Sequence, residues 1–416
     1  MYIASARRPE ATGPGRGAGK VAANVVALGA VSLVTDVSSE MVTAILPLYF
    51  VIGLGLNPLL FGFLDGLYAG ATALARLAGG HVADRFQRRK AVAGAGYGIS
   101  AAAKLGLLAA GSSVPWIGAA LVADRAGKGL RTAPRDALIS LSSDASAQGR
   151  AFGVHRAMDT VGAFLGPLVA FGILYTSPNA YDAVFVVSLC VALFAVVLLA
   201  LFVRDHRQAL PARAVTLRAG LRLLRGRAFR RVCLVATLLG LVTISDGFLY
   251  LLLSDRSGLT PTVFPLLPLG TAAAFLLLAW PLGRLADAVG AFPVFLGGHV
   301  ALLAAYGVLL ATGSSGGTAA VIAVVALHGA YYAASDGVLM ALAGPLLPAA
   351  VKASGLALAQ TGQAVARLVS SVALGWGWMY LGVDSVLWAA LIALAAGIGV
   401  AAVALRPGTT ATEERS

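Results

Sequence analysis

The stretch Gly80-His-Val-Ala-Asp84-Arg85-Phe-Gln-Arg88-Arg89-Lys90 puts four cations and one acid between two apolar runs, 58–80 and 91–110. Each run is about the 20 residues that a helix needs to cross a bilayer. A related stretch, Gly283-Arg284-Leu-Ala-Asp287-Ala-Val-Gly290, stands half a chain later between runs 263–281 and 291–312, again with an acid four residues after a glycine. Two similar loops half a chain apart are what an internal duplication produces.

Outward from these loops the apolar runs can be numbered. Before the middle of the chain they lie near 22–53, 58–80, 91–110, 115–136, 150–175 and 182–203; after it, near 232–253, 263–281, 291–312, 318–343, 353–375 and 384–405. The first charged loop thus falls between runs two and three and the second between runs eight and nine. Residues 204–231 carry nine arginines against one acid, Asp205, and are too charged to cross a bilayer. The runs lack the period-2 alternation of a barrel strand, so helices are expected. The predicted fold is an all-α polytopic membrane protein of twelve transmembrane helices in two pseudo-symmetric six-helix bundles. Its expected parts are an N-terminal tail 1–21, a first bundle 22–203, a basic linker 204–231, a second bundle 232–405 and a C-terminal tail 406–416.

Composition agrees. Of 416 residues, 59% are hydrophobic and 12% charged, where soluble domains have roughly 45–50% and 25%. The net charge of +13 does not point to nucleic acid, because the cations fall in the gaps between apolar runs instead of on a folded soluble face. They also alternate. The tail holds Arg7, Arg8, Arg16 and Lys20, the second loop and the linker are basic, and the loops near 54–57, 111–114, 176–181, 313–317 and 376–383 hold no Lys or Arg. Only Arg256 breaks the pattern. The positive-inside rule then predicts both termini cytoplasmic in an inner, plasma membrane. In the linker Leu217, Leu221 and Leu224 recur at helical spacing beside arginines, which suits either an amphipathic helix on anionic lipid or a plain basic connection. Cys190 and Cys233 show no disulfide or metal spacing, and no metal site is expected.

Motifs at these positions resemble those of the major facilitator superfamily. The 80–90 stretch is similar to its hallmark loop, with Gly80, Asp84, Arg85, Arg88 and Arg89 in one copy and Gly283, Asp287 and Gly290 in the other. The resemblance implies a conformational latch in which Asp84 meets the helix start near Ser354 and Arg125 or Arg131. Asp124-Arg125-Ala-Gly-Lys128-Gly129-Leu-Arg131 partly matches an RxxxG pattern of span 4. Gly162-Ala-Phe-Leu-Gly166-Pro167-Leu-Val-Ala170 is close to the GxxxGP element of the family's antiporters, with Ala170 and Phe171 where paired glycines stand in the pattern. Small residues four apart let helix backbones approach, and Pro167 bends the helix.

Away from the ends of the runs lie seven acids (Asp36, Glu40, Asp65, Asp124, Asp159, Asp246, Asp336) and seven cations (Arg76, Lys104, Arg125, Lys128, Arg131, Arg156, Arg367). Asp36 and Glu40 are four apart and share a helix face. Two carboxylates in low dielectric do not both stay ionised cheaply, so one is expected to carry a proton, or else each is neutralised by Arg125 or Lys128. The proton-coupling candidates are Asp36, Glu40, Asp124 and Arg125. Arg125 is expected to pair with Asp124, Asp36 or Glu40. His155, Arg156 and Asp159 sit at spacings that let Asp159 meet either partner, as a proton relay or as a structural pair. Asp246 in span 7 echoes the Asp36–Glu40 segment, and Asp336 in span 10 echoes Asp124. With Gln360, Gln363 and Arg367 they are the candidates for the substrate cavity. Tyr331, Tyr332, Trp376 and Trp378 read as interface anchors or packing.

The expectation for function is secondary active transport by alternating access, as proton-coupled export (antiport) of a small molecule. Proton-coupled uptake of an anionic solute clamped by Arg125, Lys128, Arg156 and Arg367 is the alternative, and a non-transporting receptor or lipid-handling protein is a third reading. No GxxxxGK[ST] loop is present for ATP. No cofactor, no enzymatic activity and no nucleic-acid partner are expected; the partners are a small-molecule substrate, protons and the lipid bilayer, and the protein is expected to be a monomer.

Overall fold

In a computed structural model the protein is described over residues 22–86, 89–143, 147–205, 222–313, 316–348 and 352–405, with 73–74, 76–86 and 352–354 described in backbone only. The first six spans are α1 (Ala23–Leu48), α2 (Pro58–Phe86), α3 (Arg89–Ala109), α4 (Val114–Leu141), α5 (Gln148–Thr176) and α6 (Tyr181–Phe202). The second six are α7a (Arg227–Leu241) with α7b (Asp246–Arg256), α8 (Leu266–Val289), α9 (Ala291–Thr312), α10 (Gly317–Ala343), α11 (Lys352–Leu381) and α12 (Val383–Ala404). Twelve spans in two six-helix bundles are therefore present, with no strand among the described residues. The seventh span starts at Arg227, inside the segment read as linker; residues 206–221, with Leu217 and Leu221, lie outside the described residues.

Nine of the spans, among the described residues, are long and apolar enough to cross a membrane by length and composition alone. α4 is not among them. Its Asp124, Arg125 and Arg131 are buried, so the helix turns its charges into the bundle and away from lipid. Within the first bundle α1 packs on α5 and α6, α4 on α2 and α3, and α3 on α6; within the second α10 packs on α8 and α9, α11 on α7a, and α9 on α12.

The seventh span departs from the continuous helix expected over 232–253. It unwinds at 242–245, because side chains replace the missing backbone partners. The Ile244 N–H donates to the Tyr306 hydroxyl at 2.7 Å, the Ser370 hydroxyl donates to the Thr243 carbonyl at 2.8 Å, and the Ser245 hydroxyl caps α7b by accepting from the Phe248 N–H at 3.4 Å. Asp246 in the first turn of α7b suits the positive end of that half-helix. Thus α1 runs unbroken through Asp36 and Glu40, while its sequence echo around Asp246 sits at a break.

The two bundles meet most extensively along α2 and α11. Glycines allow the approach: a Cβ on Gly62 would strike the Ser371 carbonyl, one on Gly66 would lie 2.9 Å from the Leu368 carbonyl oxygen, and one on Gly375 would strike Pro58. All of these lie toward the start of α2 and the end of α11, so the bundles are closed at the end remote from the described termini. Aromatic rings fill the same end. Phe61 meets Phe248 edge-on at 4.6 Å, and Phe248 lies 5.6 Å from Trp378.

Candidate functional site

Above that aromatic plug a cavity of about 660 Å³ lies between the bundles. α1, α2 and α4 supply Glu40, Asp65, Tyr68, Arg125 and Lys128; α7b, α8, α10 and α11 supply Asp246, Tyr250, Thr271, Phe275, Tyr332, Asp336, Gln360, Gln363 and Arg367. The break in α7 puts Asp246 here, at the first position of a half-helix that starts on the cavity wall.

On the first bundle the charges are paired. Asp124 takes both Arg125 and, at 3.3 Å, Lys104, while the Arg125 guanidinium lies over the Tyr68 ring at 4.1 Å. Glu40 faces Lys128 at 3.8 Å and Asp36 faces Arg131 at 3.8 Å. Asp36 and Glu40 thus each have their own cation across the α1–α4 interface. Behind them Asp159 meets His155 at 3.4 Å and Arg135 at 3.9 Å, and His155 shares a 3.0 Å hydrogen bond with the Ser32 hydroxyl. Arg156, on the same helix, is exposed and away from the cavity lining.

On the second bundle Asp246 accepts from the Tyr332 hydroxyl at 2.7 Å and faces His328 Nε2 at 3.3 Å. Arg367 donates to the hydroxyls of Tyr331 at 3.0 Å and Tyr332 at 3.5 Å. Asp65 crosses between bundles: its carboxylate accepts from the Ser371 hydroxyl at 2.6 Å, and its other oxygen lies 2.9 Å from where a Cβ on Gly247 would stand.

The sequence profile of the Major Facilitator Superfamily matches residues 28–371. The chain belongs to that superfamily. It is 27% identical over 386 residues, covering 90% of this chain and 93% of the other, to an uncharacterized MFS-type transporter of Methanocaldococcus jannaschii. A 159-residue segment is 38% identical to an uncharacterized protein of Mycobacterium tuberculosis, 38% of each chain. Among solved structures the chain is similar to the nucleoside transporter NupG (TM-score 0.80, 12% identity, 92% of this chain and 100% of that one) and to a POT peptide transporter (0.76, 16%, 94% and 97%). At those identities the likeness is one of fold. The family makes this chain a membrane transport protein.

Within this major facilitator the sequence-selected residues separate into groups. Glu40, Arg125, Asp246, Asp336, Gln360, Gln363 and Arg367 line one cavity, while Asp36 and Asp124 stand behind its wall as partners of Arg131 and Arg125. Asp336, although it echoes Asp124 in sequence, is exposed to the cavity where Asp124 is buried among cations. Gly162 and Gly166 bring α5 against α1: a Cβ on Gly166 would lie 2.8 Å from Glu40 Cβ and from the Val37 carbonyl oxygen. Of the latch residues, Gly80, Asp84 and Arg85 fall where only the backbone of α2 is described, Arg88 lies outside the described residues, and Arg89 opens α3. The Ser354 side chain is likewise outside the description. On the second copy Asp287 is exposed and Gly290 turns the chain from α8 into α9 with φ of 96°.

Two placements were not legible beforehand. Tyr332, read as an anchor or packing residue, lines the cavity and holds Asp246. Asp65 was visible only as one more intramembrane acid; its contact with Ser371 spans 306 positions, and no local pattern encodes it.

Proposed function

We propose that this protein is a secondary active transporter that exports a small molecule in exchange for protons, by alternating access of residues 22–203 and 232–405 around the cavity. The observation that carries the reading is the contact between Gly166 and Glu40. The antiporter-like element of α5 packs against the Cβ of Glu40, the residue that lines the cavity and whose carboxylate faces Lys128. A carboxylate paired at 3.8 Å and reached from the cavity can alternate between Lys128 and a proton. Asp36 would take part behind it through Arg131. The basic tail, loops and linker support cytoplasmic termini in the plasma membrane, with the Gly80–Arg89 and Gly283–Gly290 stretches as latch elements on that side. Anion uptake is less well supported. Arg125 and Lys128 already face carboxylates, and Arg156 stands outside the cavity.

The test uses everted membrane vesicles acidified inside, with a pH-sensitive dye and a panel of small molecules added outside. An exporter exchanging protons gives compound-dependent alkalinisation of the interior. Glu40→Gln at equal protein level should lower that response at least about tenfold, within the usual range for loss of a positioned proton-transfer group. An unchanged response in the variant, or none from the unaltered protein with any compound, sinks the proposal.

A further inference from the structure

The charges on the two cavity walls are unequal. On the first bundle Lys104, Arg125, Lys128, Arg131 and Arg135 each have a carboxylate within 4 Å. The second bundle lines the cavity with Asp246 and Asp336 against one cation, Arg367, and Asp65 of α2 reaches the same side at the seam with α11. Arg367 donates to tyrosine hydroxyls and has no carboxylate within 4 Å among the described residues. His328 stands behind this wall: it is 1% exposed, faces Asp246 through Nε2 and is not part of the cavity lining.

A carboxylate wall left short of cations calls for a cation from outside. The rest of the wall suits an organic one. Tyr250, Phe264, Phe275 and Tyr332 line the same side, and ring faces attract a positive charge that has left water. Thr271, 5% exposed, lines the cavity there beside Tyr250. The volume of about 660 Å³ has room for several rings.

We infer that the transported solute is an organic cation with an aryl or other apolar body, its charge seated between Asp246 and Asp336 on the second bundle. This rests on the transport reading of the cavity and adds the substrate class.

Tetraphenylphosphonium and tetraphenylborate have nearly the same shape and opposite charge. In equilibrium dialysis with purified full-length protein, corrected for empty micelles, the phosphonium should be retained and the borate should not. Asp246→Asn and Asp336→Asn, each checked as monodisperse by size exclusion, should weaken phosphonium binding at least about tenfold. Borate bound as well as phosphonium, binding of neither probe, or phosphonium binding unchanged in folded Asp336→Asn overturns the inference. The vesicle assay judges transport separately: compound-driven proton release that survives any of these results removes the substrate class alone.

Discussion

Arg256 breaks the loop asymmetry of the sequence, and its surroundings explain why it is tolerated. It is 8% exposed, donates to the Leu309 carbonyl at 2.7 Å and pairs with Asp384, which ties α7b to the end of α9 and the start of α12. The two partners contribute unequally. Asp384 is largely exposed, so the ion pair itself stabilises by less than about 1 kcal/mol. Removing Arg256 strips a carbonyl of its charged donor and leaves a hole, at about 1–3 kcal/mol. Arg256→Ala should therefore lower the thermal unfolding midpoint in detergent clearly more than Asp384→Asn does; equal drops would mean that the ion pair, and not the Leu309 contact, holds these ends. At this scale the sequence showed which residues matter but seldom with whom. Asp36, Glu40 and Arg125 stand out because charge in an apolar run is costly. That Arg131 answers Asp36, or that Lys104 shares Asp124 20 positions on, depends on how separate helices are set against each other.

Among the elements, α5 was the most legible. Its glycines at 162 and 166 announce close packing, and α1 is the partner. Gly172 lies on the same helix with open space where a Cβ would be added. Alanine at the two positions should act with opposite sign. Gly166→Ala forces α5 off Val37 and Glu40 and should cost about 1–3 kcal/mol, whereas Gly172→Ala gains helix propensity of up to about 1 kcal/mol. Thermal unfolding in detergent checks this, and two changes of the same sign would argue against the α1–α5 contact. The broken α7 was illegible for the opposite reason. Hydropathy runs on across 242–245, and the unwinding depends on Tyr306 and Ser370, which no window around residue 244 contains. In hindsight Ser245-Asp246 is a helix-start signal of the usual kind, outweighed by the apolar run on either side.

For the whole molecule, alternating access requires that the closed end open. Closure there rests on α2 against α11 and on the Phe61–Phe248–Trp378 plug. The duplicated loops and run count made the two bundles legible, but not which end is shut, since one sequence must support both arrangements. The seam can be locked. A Cβ on Gly70 would lie 3.8 Å from Leu368 Cβ, and the one atom in its way, Leu368 Cδ1, goes with the leucine, so Gly70→Cys with Leu368→Cys should form a disulfide under mild oxidation. Cys190, the exposed native thiol, is first replaced by Ser. The oxidised double variant should lose compound-driven proton release in vesicles by more than about tenfold, because the bundles could no longer part there. Reduction should restore it to the level of the Cys190→Ser parent, which separates a locked seam from a damaged one. Full activity while cross-linked would mean that the bundles do not part along α2 and α11, and the path through the cavity would have to lie elsewhere.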